Sequence, residues 1–469
     1  MSGNARAMAR MITMRRALSD ANLLGSLLTG GSWKAWRVLL IAAMGEVLDA
    51  DERALFSKLT GGREREPGQR VEELIGIIGR RGGKSRAISV LAAYIAGLCD
   101  HSRVLVPGER GVVLCIAPDQ RQAHVVLDYV QAAFEATPLM RQLVENRTAD
   151  TLSLKTNIDI EVRASSFRRL RGPTYVAVIS DEAAFFLTDD DAANADTAIL
   201  NAVRPGLATT HGLLAIISSP YARAGELFEL HKAHFGAQGD SLILVAQGGS
   251  RDFNPTLPQA IVDRAYARDA AAASAEYGGL FRSDIESFVS HDVVAAAVVP
   301  HRVLLPKVDG CSYVAFCDPS GGSSDSMTLG ISHCEGERVV LDLALERRSP
   351  FSPDSVVAEF AATIKSYGIA SVLGDRYGGL WPRERFSYHG VDYQTSPMTK
   401  SEIYLHMLPM LNSGRIELLD NPRLIAQLTS LERKTSRVGK DTVDHPPHQH
   451  DDVINAAAGV LVLSSQRAS

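Results

Sequence analysis

A glycine-rich stretch, Gly79-Arg80-Arg81-Gly82-Gly83-Lys84-Ser85, follows an apolar run at 74–78 and precedes a helical pattern from Arg86. Glycines let backbone N–H groups turn inward around a polyphosphate, and a lysine reaches its terminal oxygens. A hydroxyl can ligate Mg²⁺, and the helix N-terminus adds its positive end. Gly82, Gly83, Lys84 and Ser85 supply these parts in order, while Arg80 and Arg81 lie where they can touch a nucleotide held by the same chain. The full pattern has glycine where Ile78 stands. A second group follows at 175–182, a buried-type strand ending in Asp181-Glu182. There the aspartate can hold the metal and the glutamate can activate the attacking water. Ser218-Ser219-Pro220 closes a further apolar run, the place of a γ-phosphate sensor or coupling turn, or of an ordinary strand end. Arg168, Arg169 and Arg171 lie just upstream of the acidic strand; Arg169 and Arg171 are the candidates for an arginine that reaches a neighbour's γ-phosphate. Occurring together in this order, the motifs predict an ATP-hydrolysing site.

The second half carries carboxylates instead. Asp318 ends one apolar run, Asp375 ends another, and Asp451-Asp452 open the last helical pattern. Each alone reads equally well as a strand-end or capping residue. Brought to one sheet edge, their hard oxygens suit Mg²⁺ or Mn²⁺ and not zinc. Two such ions can activate a water and stabilise the departing oxygen in phosphodiester cleavage. Asp325 reads as a turn residue, and His448 and His450 as cap or surface residues.

The elements that must position these residues change in order along the chain. Strands are expected at 73–79, 111–117, 158–164, 175–180, 212–218 and 241–245, with helices from Ser85, Gln120 and Ala192. That alternation predicts a mostly parallel sheet with helices on both faces. An Ala-rich helix at 265–281 and a connector at 290–309 place a domain boundary near residue 300. Beyond it, three consecutive strands (312–317, 327–333, 339–345) suit an antiparallel meander. Then come a helix capped by Ser352 with Pro353 first and Gly368 past its end, and a strand at 370–374. A capping box at Thr399–Glu402, a start at Asn421-Pro422 and a final helix near His450 complete the order. Meander followed by alternating helix and strand is the order of an RNase H-like fold. The expected domains are a helical N-terminal extension (1–70), an ATPase domain with a helical connector (71–300) and a nuclease-type domain (301–469).

Composition sets the outer bounds. The 469 residues are 45% apolar and 22% charged, enough for more than one core. Fifty-four acidic against forty-nine basic residues give a net charge of −5, so a nucleic-acid surface must be a local patch. Residues 1–45 carry Arg6, Arg10, Arg15, Arg16, Lys34 and Arg37 against Asp20, a basic arm or a solvated helical face. Five cysteines without a CxxC pair point to a reducing compartment. No apolar run reaches the ~18 residues of a membrane span, and no signal peptide is legible, so a cytoplasmic protein is expected.

The two halves together resemble the large subunit of a tailed-phage terminase. The likeness spans roughly 71–463 and rests on the loop at 79–85, Arg171-Gly172-Pro173 leading into Val178-Ile179-Ser180-Asp181-Glu182, and Ser218-Ser219-Pro220. In the second half it rests on Asp318-Pro319, Gly374-Asp375 and His450-Asp451-Asp452. The resemblance implies that Lys84 and Ser85 bind phosphate and Mg²⁺, Asp181 holds the metal and Glu182 is the catalytic carboxylate. It implies that Ser218, Ser219 and Pro220 couple hydrolysis to DNA movement, and that Asp318, Asp375, Asp451 and Asp452 cut DNA at initiation and termination with Mg²⁺ or Mn²⁺. The implied partners are double-stranded DNA, a small terminase subunit, a procapsid portal and other copies in a ring, with no membrane. The implied setting is the host cytoplasm during assembly and not the finished virion. No glutamine precedes Gln69, so the adenine contact falls to Gln69, Trp33, Trp36 or backbone groups. The alternative is a helicase-like or repair ATPase whose RNase H-like domain binds DNA without cutting it.

Overall fold

The computed structural model describes residues 12–165, 170, 172–186, 195–282, 284–323, 325–375, 380–435, 441–446 and 449–468. The chain divides into two compact units that meet at residues 283 and 284.

Among the described residues the first unit has eight strands: β1 (Glu73–Ile78), β2 (Gly111–Ala117), β3 (Val144–Arg147), β4 (Thr151–Leu154), β5 (Ile158–Ala164), β6 (Tyr175–Asp181), β7 (Leu213–Ser218) and β8 (Ile243–Gly248). Their order is β3-β4-β5-β2-β6-β7-β1-β8. From β5 to β8 every pair is parallel, and β3 and β4 extend the edge antiparallel. Alternating side chains explain why both faces are covered. Leu74, Val113, Ile179 and Ala215 enter one core, while Ile75, Leu114, Val178 and Ile216 enter the other. Helices α1 (Lys34–Ala43), α2 (Lys84–Leu98) and α3 (Gln120–Glu135) cover the first face. Helix α4 (Ala195–Ala208) covers the second through Ile199, Leu200 and Val203.

The N-terminal segment is not a separate extension. Met14, Leu18, Trp36, Leu40 and Phe56 are buried in the same core as Leu74 and Ile88. Of its basic residues, Arg15 donates to Glu52 at 2.8 and 2.7 Å and Arg37 to the Leu18 carbonyl at 2.7 Å, Arg16 and Lys34 are exposed, and Arg6 and Arg10 lie outside the described residues.

In the second unit the expected meander is β10 (Tyr313–Asp318), β11 (Met327–Glu335) and β12 (Arg338–Arg347), all antiparallel. Strands β13 (Ser371–Gly374), β14 (Asp392–Thr395) and β15 (Ile416–Glu417) join in parallel, giving the order β14-β13-β10-β11-β12-β15. Helix α5 (Pro353–Ser366) covers one face through Val357, Phe360 and Ile364. Helices α6 (Lys400–Asn412), α7 (Pro422–Ser430) and α8 (Asp452–Ala468) cover the other. Two glycines let α8 lie close against the sheet. A Cβ on Gly330 would stand 2.7 Å from the Ala456 carbonyl oxygen, and one on Gly459 would stand 2.5 Å from the Phe316 ring. Thr399 and Glu402 form the expected capping box.

Three expectations differ. The unit boundary lies at 283/284 and not near 300, because β9 (Ile285–Ser287) pairs with β16 (Glu432–Thr435), which pairs with β17 (Asp441–Asp444). Val294 and Ala297 likewise belong to the second unit's core. The helix expected over 265–281 is two helices, Gln259–Arg268 and Ala270–Glu276, because Asp269 accepts from the Ala271 and Ala272 N–H groups and starts a new one. Ser352 occupies the cap position of α5, yet its side chain makes no capping bond.

Candidate functional site

In the first unit, β1 delivers the glycine-rich loop and α2 begins at Lys84, with Gly83 in the left-handed region at φ +80°. The loop is held from outside by its carbonyls. Ser250 Oγ donates to the Arg80 oxygen at 2.5 Å, Asn254 Nδ2 to the Arg81 oxygen at 2.9 Å, and Trp36 Nε1 to the Gly82 oxygen at 2.7 Å. The Gly79, Arg80 and Gly82 N–H groups are themselves bonded to the Gly248, Glu276 and Gly79 carbonyls, so the donors offered to an anion are those of the first turn of α2, from Lys84 and Ser85 onward. Gly79 must lack a side chain: a Cβ there would stand 2.5 Å from Ser250 Oγ. None of these supports was legible beforehand, since Ser250 and Asn254 are about 170 residues downstream in the sequence and Trp36 read only as a possible base contact.

Strand β7 lies between β1 and β6, so Ser218 and Ser219 sit between the loop and the acidic pair. Lys84 Nζ donates to Ser219 Oγ at 2.7 Å and lies 3.1 Å from Glu182 Oε1. Glu182 Oε2 accepts from the Ser219 N–H at 3.0 Å and from Ser218 Oγ at 3.3 Å. Glu182 itself takes φ +55°, an uncommon conformation for a side-chain-bearing residue. Ser85 Oγ donates to Asp181 Oδ2 at 2.8 Å, while Asp181 Oδ1 is buried with no hydrogen-bond partner among the described residues. Burial, reinforced by the Glu182 charge, pushes the Asp181 carboxyl up to about 6. A hydroxyl and a partly unpaired carboxylate side by side fit a hard divalent cation. Pro220 is buried beside these serines.

The flanking basic residues are distributed differently. Arg80 is half-exposed and lies 3.3 Å from Glu276; Arg81 is exposed at φ +65°. Arg168, Arg169 and Arg171 lie outside the described residues. Trp36 is fully buried beneath the loop, so it cannot stack on a base. Trp33 is partly exposed beside Gly83, with the Arg86 guanidinium 5.0 Å from its ring centre, and Gln69 is exposed.

In the second unit, β10 and β13 pair in parallel up to Cys317 and Gly374, so Asp318 and Asp375 leave adjacent strands at the same edge. Helix α8 brings Asp452 over that edge: Asp452 Oδ2 accepts from the Ser326 N–H at 3.3 Å, and its carbonyl from Thr328 Oγ1 at 2.6 Å. Asn455, one turn further along α8, donates from Nδ2 to Asp318 Oδ2 at 2.8 Å and to Asp375 Oδ2 at 3.5 Å. Burial drives the Asp318 carboxyl well above its ordinary range against the Asn455 bond, and the charges of Asp452, Asp375 and Asp451 add to it. Burial likewise pushes Asp452 up to about 6. The donor set is oxygen from three elements with mutual repulsion, which fits a hard divalent cation. Among the described residues, however, no three His, Cys, Asp or Glu side chains close on one point at ligating distance. Asn455 stands between the two strand-end carboxylates.

Asp451 is placed otherwise. Its Oδ2 accepts from Tyr404 OH at 2.8 Å and lies 2.9 Å from Lys400 Nζ, which also bonds Asp444 at 2.9 Å. The neighbouring carboxylates hold Lys400 up at about 12 against the effect of burial. Asp451 therefore ties the start of α8 to α6, while Asp452 carries the exposed edge of the cluster. Gln427 completes this end by accepting from the Val453 and Ile454 N–H groups at 2.9 and 3.0 Å. His450 Nδ1 is 3.9 Å from Asp325 Oδ1, and His448 lies outside the described residues. Asn455, Gln427, Tyr404 and Lys400 are residues that sequence reasoning missed. The spacing from Asp452 to Asn455, one helical turn, was the available signal for the first.

No protein-family model matches this sequence, and no curated protein matches it significantly. Among solved structures the chain is similar to the HK97 bacteriophage large terminase, at 14% identity over 89% of this chain and 95% of that one, with a TM-score of 0.41. It is similar to the large terminase of a thermophilic bacteriophage in complex with ADP, at 13% identity over 91% of this chain and 98% of that one, TM-score 0.38. It is also similar to the large terminase nuclease from thermophilic phage G20c with bound magnesium, at 18% identity over 39% of this chain and 97% of that one, TM-score 0.31. Such likeness concerns the fold alone. Among the described residues no helix is long and apolar enough to cross a membrane.

Proposed function

We propose that this chain is a tailed-phage large terminase subunit: an ATPase that drives double-stranded DNA into a procapsid, joined to a metal-dependent endodeoxyribonuclease. The observation that supports this reading best is the contact of Lys84 with both Ser219 and Glu182 at the mouth of the loop. One lysine there links phosphate binding, the candidate base and the turn that would move.

ATP enters with its phosphates against the N–H groups of the first turn of α2, and Lys84 exchanges Ser219 and Glu182 for phosphate oxygens. Glu182, freed of Lys84, orients the attacking water and takes its proton. Ser85 and Asp181 are the residues that would hold Mg²⁺, which supplies charge neutralisation on the phosphates when bound. Ser218, Ser219 and Pro220 pass the change at Lys84 into β7, the coupling step of the motor. Arg80 and Arg81 act in cis; Arg169 or Arg171 acts on a neighbouring copy in a ring. In the second unit, Asp318, Asp375 and Asp452 would hold Mg²⁺ or Mn²⁺, which when bound supplies Lewis-acid activation of water and stabilisation of the leaving oxygen. The chain's own residues orient that site: Asn455 between the strand ends, Asp451 and Gln427 at the base of α8. A small terminase subunit and a portal are the remaining partners of this reading, and the host cytoplasm is its setting.

The test is directional motion on duplex DNA. With ATP, the purified chain, with portal and procapsid where available, should displace a triplex-forming strand from linear duplex while leaving a forked duplex paired. Strand separation of the fork would favour a helicase-like ATPase and overturn the packaging reading.

A further inference from the structure

Asn455 is 1% exposed and lies on α8 one turn after Asp452. Its Nδ2 faces Asp318 and Asp375, the ends of two different strands, and its Oδ1 is buried with no hydrogen-bond partner among the described residues. A carboxamide is the one neutral side chain that can offer two N–H donors to two anions at once. An aspartate here would add a fourth negative charge, and an alanine would leave both carboxylates facing each other.

We propose that Asn455 is the positioning residue of the nuclease site: it holds the Asp318 and Asp375 carboxylates at a fixed separation before the cation arrives. The proposal rests on the nuclease reading above. Partners that orient metal ligands characteristically change metal affinity by about 10–100-fold when removed, and that is the effect expected here.

The probe is Mn²⁺ alone, titrated calorimetrically into the nucleotide-free full-length chain, with Asp375→Asn as the reference for binding elsewhere. Asn455→Ala should raise the Kd for the heat that Asp375→Asn abolishes by about 10-fold or more. Asn455→Asp, nearly the same shape, should bind Mn²⁺ more tightly than wild type. Its melting temperature should fall without metal and recover with it, a sign reversal that lost packing would not produce. Should the alanine chain fail to fold, the aspartate chain carries the test. If both variants bind Mn²⁺ with the wild-type Kd and melt with the wild-type metal dependence, the positioning role is overturned and the nuclease reading stands. A wild-type chain that neither binds Mn²⁺ nor cleaves DNA overturns both.

Discussion

The Lys84 ammonium has three partners, Ser219 Oγ, the Glu182 carboxylate and, at 3.3 Å, the Ile78 carbonyl. On the proposed reading these contacts occupy the base until phosphate displaces them. Glu182→Gln should then keep ATP binding and lose hydrolysis by roughly 10²–10⁴-fold, the usual contribution of a positioned base. Equilibrium binding of a fluorescent ATP analogue beside steady-state turnover measures the split. Equal loss of both would remove Glu182 from the base role. A second residue-scale consequence concerns His333, whose Nδ1 lies 2.8 Å from Asp342 inside the second unit. Burial alone would lower this imidazole, but the bond and charge of Asp342 outweigh it and leave it above its ordinary 6.5. A group raised in the folded state stabilises fully below its unfolded value, and that stability is lost as pH climbs through the folded value. The melting temperature should therefore fall as pH rises above about 6.5, and His333→Gln should flatten that fall. A wild-type profile parallel to the variant's would contradict it.

At the scale of elements, the parts that read well were those with one dominant signal. Strands β1, β2, β6 and β7 are apolar on both faces, so their runs stood out against the loops. Strands β3 and β4 did not: Val144–Arg147 is mostly exposed and polar, and only pairing to β4, itself paired to β5, makes it a strand. The capping box at Thr399 was legible because both its members are local, whereas the break at Asp269 was masked by the Ala-rich run around it. The choice between Asp451 and Asp452 could not be read at all. Adjacent residues at a helix start point about 100° apart, and only the packing of α6 decides which meets Tyr404 and Lys400. The loop supports were likewise out of reach, being side chains from distant segments on backbone carbonyls. They make a direct prediction: Trp36→Phe keeps the buried ring and removes the donor to Gly82, leaving a buried carbonyl unpaired. It should cost about 1–3 kcal/mol of stability and raise the KM for ATP more than it lowers kcat. An unchanged KM would mean the loop does not depend on this bond.

At the scale of the molecule, the division at 283/284 makes the segment 284–300 part of the second unit. Phe288, Val289 and Val294 are buried in that unit's core, and β9 completes its small sheet. A chain beginning at residue 284 should therefore melt cooperatively. One beginning at 301 should be less stable by several kcal/mol, since each buried side chain of this size contributes about 1.5–3 kcal/mol. Equal denaturation midpoints would move the boundary back toward 300. The fold class was legible because its elements follow in a fixed order, and the residues of both candidate sites stand on local motifs within that order. What the sequence left open, the hydrogen-bonded frame around those motifs, depends on which distant segments meet.

The central claim is that one chain carries two separable active sites, and one set of assays addresses it most directly. ATP hydrolysis and Mn²⁺-dependent plasmid cleavage are measured on the same preparations of wild type, Lys84→Ala and Asp375→Ala. The account predicts that Lys84→Ala abolishes hydrolysis and keeps cleavage, while Asp375→Ala abolishes cleavage and keeps hydrolysis. Plasmid cut equally well by Asp375→Ala, or ATP turned over at the wild-type rate by Lys84→Ala, would contradict it.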